Sequence, residues 1–198
     1  MRPLPSRTAA RVNNKKPVIV VSGPPGSGKT TYARRLSQDL GLKYFTTGSI
    51  FRRLAREKGL SLEEFSRLAE RDPRIDLAID RATLEIASQG NVVIDSHLAA
   101  WVLTGVADVS ILVKAHPIVR IQRISGREGR SLTSVARETL SREFSQWARF
   151  RDYYGYDITD SSVFDLVIDT GFLDQETIYS IIYDFVVRKL GMEQAGSR

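Results

Sequence analysis

Eight consecutive residues, Gly23-Pro24-Pro25-Gly26-Ser27-Gly28-Lys29-Thr30, fit the spacing G-x-x-x-x-G-K-[ST]. Glycines at 23, 26 and 28 allow backbone N–H groups to curl round a chain of phosphates, and a helix that opens there adds positive potential. Lys29 then supplies a point charge for the β- and γ-phosphates, and the Thr30 hydroxyl a ligand for Mg²⁺. Thr31 prolongs the phosphate-binding segment from Gly23 into the helix. A tight glycine turn is the bland alternative, but the segment leaves a β-branched run and enters a helical pattern, the context the chemistry requires. The expected ligands are ATP and Mg²⁺. Asp95, closing the apolar run Val92-Val93-Ile94, stands where open parallel sheets keep their sites and is a second candidate for the metal or its water shell.

Transfer of a phosphoryl group also needs an acceptor site and cations for the migrating charge. Arg120, Arg123, Arg127 and Arg130 recur at spacings of three, four and three, and Gly126 and Gly129 interrupt them. This predicts an arginine-bearing loop that closes over phosphates. Arg142, Arg149 and Arg151 fall on the helix that follows. For the acceptor, Thr47-Gly48-Ser49-Ile50-Phe51-Arg52 puts a loop and an arginine just past the second strand. Asp76 and Asp80 share a helical face, with Arg81 beside them. Carboxylate and guanidinium together can read the amino donor and adjoining acceptors of a cytosine ring; ordinary surface charges explain these three equally well.

The elements that must position these groups read as alternating strands and helices. Strands are expected at Pro17–Ser22, Lys43–Thr46, Asn91–Asp95, Val109–Lys114 and Leu166–Asp169. Helices are expected from Lys29 to about Leu40, Gly48 to Lys58, Ser61 onward behind a Ser-x-x-Glu capping box, and Asp72-Pro73 to about Gln89. They continue from Pro117 to Ser125, Thr133 to Tyr153 and Asp174 to Leu190, with Gly126–Arg130 as a charged loop. The fold class is α/β, a five-stranded parallel sheet with helices on both faces. One kinase-sized domain is expected over 17–191, with a helical insert at about 46–89 and an arginine-rich lid at about 125–133.

Composition removes whole classes of function. The 198 residues include no cysteine and only His97 and His116, so disulfides, thiolate chemistry and multi-histidine metal sites are excluded. No apolar run is long enough to span a bilayer. The net charge of +6 suggests nucleic acid, but five of the 29 basic residues and none of the 23 acidic ones lie in 1–16, leaving the rest close to neutral. Residues 1–16 and 192–198 read as solvated tails. Expected partners are therefore small molecules rather than nucleic acid or membrane, for a cytoplasmic monomer.

Taken in order, the phosphate loop, Gly48-Ser49-Ile50-Phe51-Arg52, Asp72-Pro73-Arg74-Ile75-Asp76, Asn91-Val92-Val93-Ile94-Asp95-Ser96 and Tyr154-Gly155-Tyr156-Asp157-Ile158 resemble the nucleoside monophosphate kinases. More narrowly, the chain looks like the archaeal-type cytidylate kinases, over about residues 17–190. The resemblance implies transfer of the ATP γ-phosphate to CMP or dCMP with Mg²⁺, in a core, acceptor-binding insert and lid. It implies Lys29, Arg123, Arg127 and Arg149 as the catalytic set, joined by Arg130, and Thr30 with Asp95 for the metal. Thr47 and Arg52 are the implied acceptor-binding residues; Asp76, Asp80, Arg81 and Asp95 join them as candidates from their placement, and His97 from its position. Two positions depart from the pattern: His97 stands where such kinases carry arginine, and Gln146 where they carry glutamate. Alternative readings are a kinase for AMP or a small metabolite, and an adenylate-kinase-like ATPase acting as an RNA-linked binding module.

Overall fold

The computed structural model describes residues 16–192. The expected tails lie outside the described residues, apart from Lys16 and Met192. β1 (Val18–Ser22) is buried at all five positions, because it is the middle strand of the sheet. β2 (Lys43–Thr46) and β3 (Val92–Asp95) lie on one side of it, β4 (Val109–Lys114) and β5 (Leu166–Asp169) on the other, in the order β2-β3-β1-β4-β5. Every pairing is parallel. The chain therefore reverses its direction of winding beside β1, and the crevice at the carboxyl ends of β1 and β3 is the natural ligand position.

Alternation along β1 sorts the core into two layers. Ile19 and Val21 pack with Tyr32, Ala33 and Leu36 of α1 (Lys29–Asp39) and with Ile178, Tyr179, Ile182 and Val186 of α8 (Gln175–Leu190). Val18 and Val20 face Ala87, Trp101, Leu103 and Phe150. These come from α4 (Arg74–Gln89), a short α5 (Ala99–Val102) with its following turn, and α7 (Leu132–Tyr154). A third cluster, Ala55, Phe65, Ala69, Ile75 and Ile79, sits inside the insert formed by α2 (Thr47–Glu57), α3 (Leu62–Ala69) and α4. The insert thus has a core of its own, centred on the fully buried Phe65, whose ring meets Phe51 edge-on at 4.8 Å.

Most elements start and stop within a residue or two of expectation. Ser61 and Glu64 form the capping box of α3. Asp72 accepts from the Arg74 N–H at 3.1 Å, and α4 begins at Arg74 rather than at the proline. The largest difference is at the expected lid. α6 (Pro117–Glu128) runs straight through Gly126 and ends only at Gly129, which is left-handed at φ 63°. Ser131 caps α7 by accepting from the Ser134 N–H. The segment is a pair of helices joined by a tight turn, not a glycine-punctuated loop. A single glycine costs a helix only about 1 kcal/mol, which packing of α6 on α7 offsets. α5 and a 3-10 turn at Ser161–Val163 were not expected.

α7 crosses from this helical pair to the insert. Near its far end the Tyr153 hydroxyl donates to the carbonyls of Ala69 and Glu70, and the Tyr154 hydroxyl to Asp80.

Candidate active site

The loop after β1 is shaped by what stands behind it. A Cβ on Gly26, at φ 79°, would lie 2.6 Å from the carbonyl oxygen of Arg120, and one on Gly23 only 2.1 Å from that of Val113. The loop is therefore seated directly on α6 and on the end of β4, as only glycine permits. Buried Arg120 braces it further. Its Nη1 donates to the Pro25 carbonyl at 3.0 Å, its Nε to Ala115 at 3.1 Å, and its fork holds the Glu143 carboxylate. Arg123 donates to both the hydroxyl and the carbonyl of Thr170, at 2.9 and 2.6 Å, and Thr170 in turn donates to Ser27 O at 2.8 Å. Sequence spacing alone gave no such role to either arginine.

Lys29 and Thr30 open α1 beneath the loop. Burial lowers the Lys29 pKa, and the charges of Arg142 and Arg52 add to this, while those of Asp95 and Glu143 oppose it. Asp95, 2 % exposed, comes up at the end of β3. Its Oδ2 accepts from the Thr30 hydroxyl at 2.6 Å and from the Tyr44 hydroxyl at 2.7 Å. Its Oδ1 is buried without a hydrogen-bond partner. Burial, and then the Asp95 charge, push the Tyr44 phenol up to about 12.

These residues fit a small, hard cation. Mg²⁺ takes oxygen ligands, keeps several waters and needs only one or two protein groups beside substrate phosphates. An unsatisfied carboxylate oxygen beside the Thr30 hydroxyl is such a donor set. Among the described residues, no group of three or more His, Asp or Glu side chains could hold a metal without help from a ligand.

Next to this point a cleft opens between the insert, β3 and α7, lined by Thr47, Arg52, Asp76, Asp80, His97, Arg142, Gln146 and Arg149 among others. Thr47 donates to Ser96 at 2.9 Å, and Ser96 Oγ accepts from the N–H groups of Leu98 and Ala99, so one edge is fixed to the sheet. Arg52 folds back over Gly48, where a Cβ would come within 3.1 Å of its guanidinium. On the floor, Arg149 Nε lies 2.9 Å from Asp76 Oδ2, an ion pair off the line of a hydrogen bond. Arg149 Nη1 also donates to Ser66 O at 3.2 Å. Burial outweighs Arg149 and pushes the Asp76 carboxyl up to about 6; Asp80 is raised as well, again by burial first.

His97 Nδ1 is 2.8 Å from Gln146 Oε1. Burial, with the Lys29 charge second, pushes the imidazole down to about 4, so it is neutral at physiological pH. The neutral ring and the amide thus share one hydrogen bond, whose direction is set by the imidazole tautomer.

The structure separates the sequence-derived candidates. Lys29, Thr30 and Asp95 stand together under the loop, and Thr47, Arg52, Asp76, Asp80, His97 and Arg149 line the adjoining cleft. Arg81 is exposed on α4 and is not among the cleft residues. Arg127 and Arg130 lie at the turn between α6 and α7, paired with Glu128 and Glu138. Arg142, read from the sequence only as one of the arginines on the helix after the loop, is half-buried in the cleft with its pKa lowered by burial. Its position seven residues before Arg149, two turns along one helix face, is the signal that pointed to it.

Comparison with known proteins places the chain in a family. A family model described as "AAA domain" matches residues 22–141. The chain is 55 % identical over 170 residues to a cytidylate kinase of Aeropyrum pernix, covering 86 % of this chain and 99 % of the relative. It is 50 % identical to that of Staphylothermus marinus, covering 87 % and 98 %. Among solved structures it is similar in fold to a shikimate kinase from Bacteroides thetaiotaomicron, with a TM-score of 0.56 at 13 % identity, covering 88 % and 98 %. On the extent and identity of these matches, the chain belongs to the cytidylate kinase family.

Proposed function

We propose that the protein transfers the γ-phosphate of ATP to CMP or dCMP. The observation that carries this reading is the continuity of one site: His97 lines the cleft, with Arg52 and Arg142 beside Asp76 and Asp80, and also feels the charge of Lys29, which in turn feels Asp95. ATP lies with its phosphates in the loop from Gly23 to Thr31. Mg²⁺, held through Thr30 and Asp95, would neutralise charge on the β- and γ-phosphates. Arg52 and Arg142 hold the acceptor phosphate, and Asp76 and Asp80, fixed by Arg149 and Tyr154, face the amino edge of the base.

One oxygen of the acceptor phosphate attacks the γ-phosphorus as the bond to the β–γ bridging oxygen breaks, so ADP leaves with the electron pair. The attacking oxygen is already anionic and needs no general base. Lys29 follows the charge on the migrating group, and rate comes from positioning and electrostatics. Arg127 and Arg130 exchange their lid carboxylates for phosphate when the α6–α7 pair closes, whereas Arg123 steadies the loop from behind.

Among the described residues no helix is long and apolar enough to cross a membrane. A monomer acting on small molecules in the cytoplasm goes with this proposal. The test is ADP release from Mg-ATP against CMP, dCMP, UMP, AMP and GMP. Stimulation by the cytidine nucleotides alone is expected; stimulation by AMP, or by none, would overturn it.

A further inference from the structure

Asp95 accepts two hydroxyl hydrogen bonds on one oxygen. Thr30 and Tyr44 both donate to Oδ2, at 2.6 and 2.7 Å, and Oδ1 is left buried and unsatisfied. A carboxylate so held cannot exchange its two oxygens by rotation without losing both bonds, so its free oxygen keeps one direction. Tyr44 is placed for this by the sheet. In the β2–β3 register Thr46 is opposite Asp95 and Tyr44 opposite Val93. Tyr44 therefore starts two residues upstream, and its long phenol spans the diagonal that a serine would not. The ring is itself fixed: the Arg34 guanidinium lies 4.6 Å over it, one turn of α1 beyond Thr30, and Leu40 and Leu42 belong to the same apolar layer.

We propose that Tyr44 is a positioning residue for the metal-binding carboxylate, fixing Asp95 so that Oδ2 accepts the Thr30 hydrogen bond and Oδ1 is presented to the divalent cation or its water. With its proton committed to Asp95, the Thr30 oxygen turns its lone pairs to the same cation. The inference rests on the Mg-ATP reading of the loop and is independent of which monophosphate is accepted.

The experiment measures binding without turnover. Mn²⁺ is titrated into the ADP-bound protein and followed by electron paramagnetic resonance, for wild type and Tyr44→Phe, alongside ADP binding in the presence of a chelator. Loss of an outer partner of a metal ligand weakens binding about 10- to 100-fold. Tyr44→Phe should lose Mn²⁺ affinity in that range and keep its metal-free ADP affinity. Mn²⁺ affinity within about twofold of wild type would overturn the proposal, as would an equal loss of metal-free ADP binding, the mark of a merely structural role. A second measurement needs no substitution: the Cζ resonance of carbon-13-labelled Tyr44 should move when Mg²⁺ joins the ADP complex and not when ADP alone is added. A resonance indifferent to Mg²⁺ would equally overturn it. Failure of the CMP assay with success here would leave Tyr44 in place and remove only the acceptor.

Discussion

His97 and Gln146 meet across the cleft wall, Nδ1 to Oε1 at 2.8 Å, although 49 residues separate them in the chain. They are the two positions at which the sequence reading expects arginine and glutamate instead. In this chain the two form a neutral pair: a half-buried amide faces a ring whose charging is opposed by burial and by Lys29, Arg120 and Arg142.

His97→Arg alone should therefore set a cation against a neutral amide among three other cations and lower stability. Adding Gln146→Glu should restore it and tighten CMP binding. Thermal unfolding and CMP titration of the two single variants and the double variant should give a coupling of about 1–3 kcal/mol, since contacting residues rarely act additively. Additive effects would mean that the two positions are independent.

Lys29→Ala should leave the fold intact and cut turnover on the order of 10³-fold or more, because its charge is aimed at the group in flight. Steady-state rates beside a circular dichroism melt check both halves. Turnover near wild type would take Lys29 out of the reaction.

Arg52→Ala should raise the acceptor KM roughly 10- to 100-fold with little change for ATP, the range expected on losing a charge-assisted hydrogen bond to phosphate. An equal rise in both KM values would move Arg52 away from the acceptor.

Asp76→Asn should show which force governs the floor of the cleft. A carboxyl raised from 3.8 to about 6 is protonated in the folded state where the unfolded chain has already lost the proton. Wild type therefore loses stability through this group as pH rises from about 4 to 6, by up to about 3 kcal/mol. Denaturant midpoints across that window should show Asp76→Asn improving relative to wild type as pH rises. The opposite slope would mean that Arg149 outweighs burial.

The strands and the phosphate loop were legible because their signals are local. β1 reads as an unbroken β-branched run, and eight contiguous residues define the loop. The cleft was legible only in part. Arg120, Arg123, Arg127 and Arg130 look equivalent by spacing, yet one braces Pro25, one holds Thr170 and two pair with carboxylates near the turn between α6 and α7. Spacing fixes a helix face, not what that face meets. Asp76 and Arg149 are 73 positions apart, and nothing in either segment alone announces the pair. Gly126 misled for a thermodynamic reason: a helix with a packed partner absorbs a glycine, and the true stop needed the left-handed Gly129 followed by the Ser131 cap.

α7 acts as a lever arm. It is unbroken from Leu132 to Tyr154, and Arg149, Tyr153 and Tyr154 pin its last turns to α3 and α4. From Arg149 back to Leu132 the rod measures about 26 Å at 1.5 Å per residue. Arg120 also holds Glu143 midway along it, so a tilt of roughly 10° pivots only the remaining ~17 Å and sweeps the far tip through about 3 Å. A shift of the insert would thereby be carried along α7 to Arg130, so one helix links the two ends of the molecule.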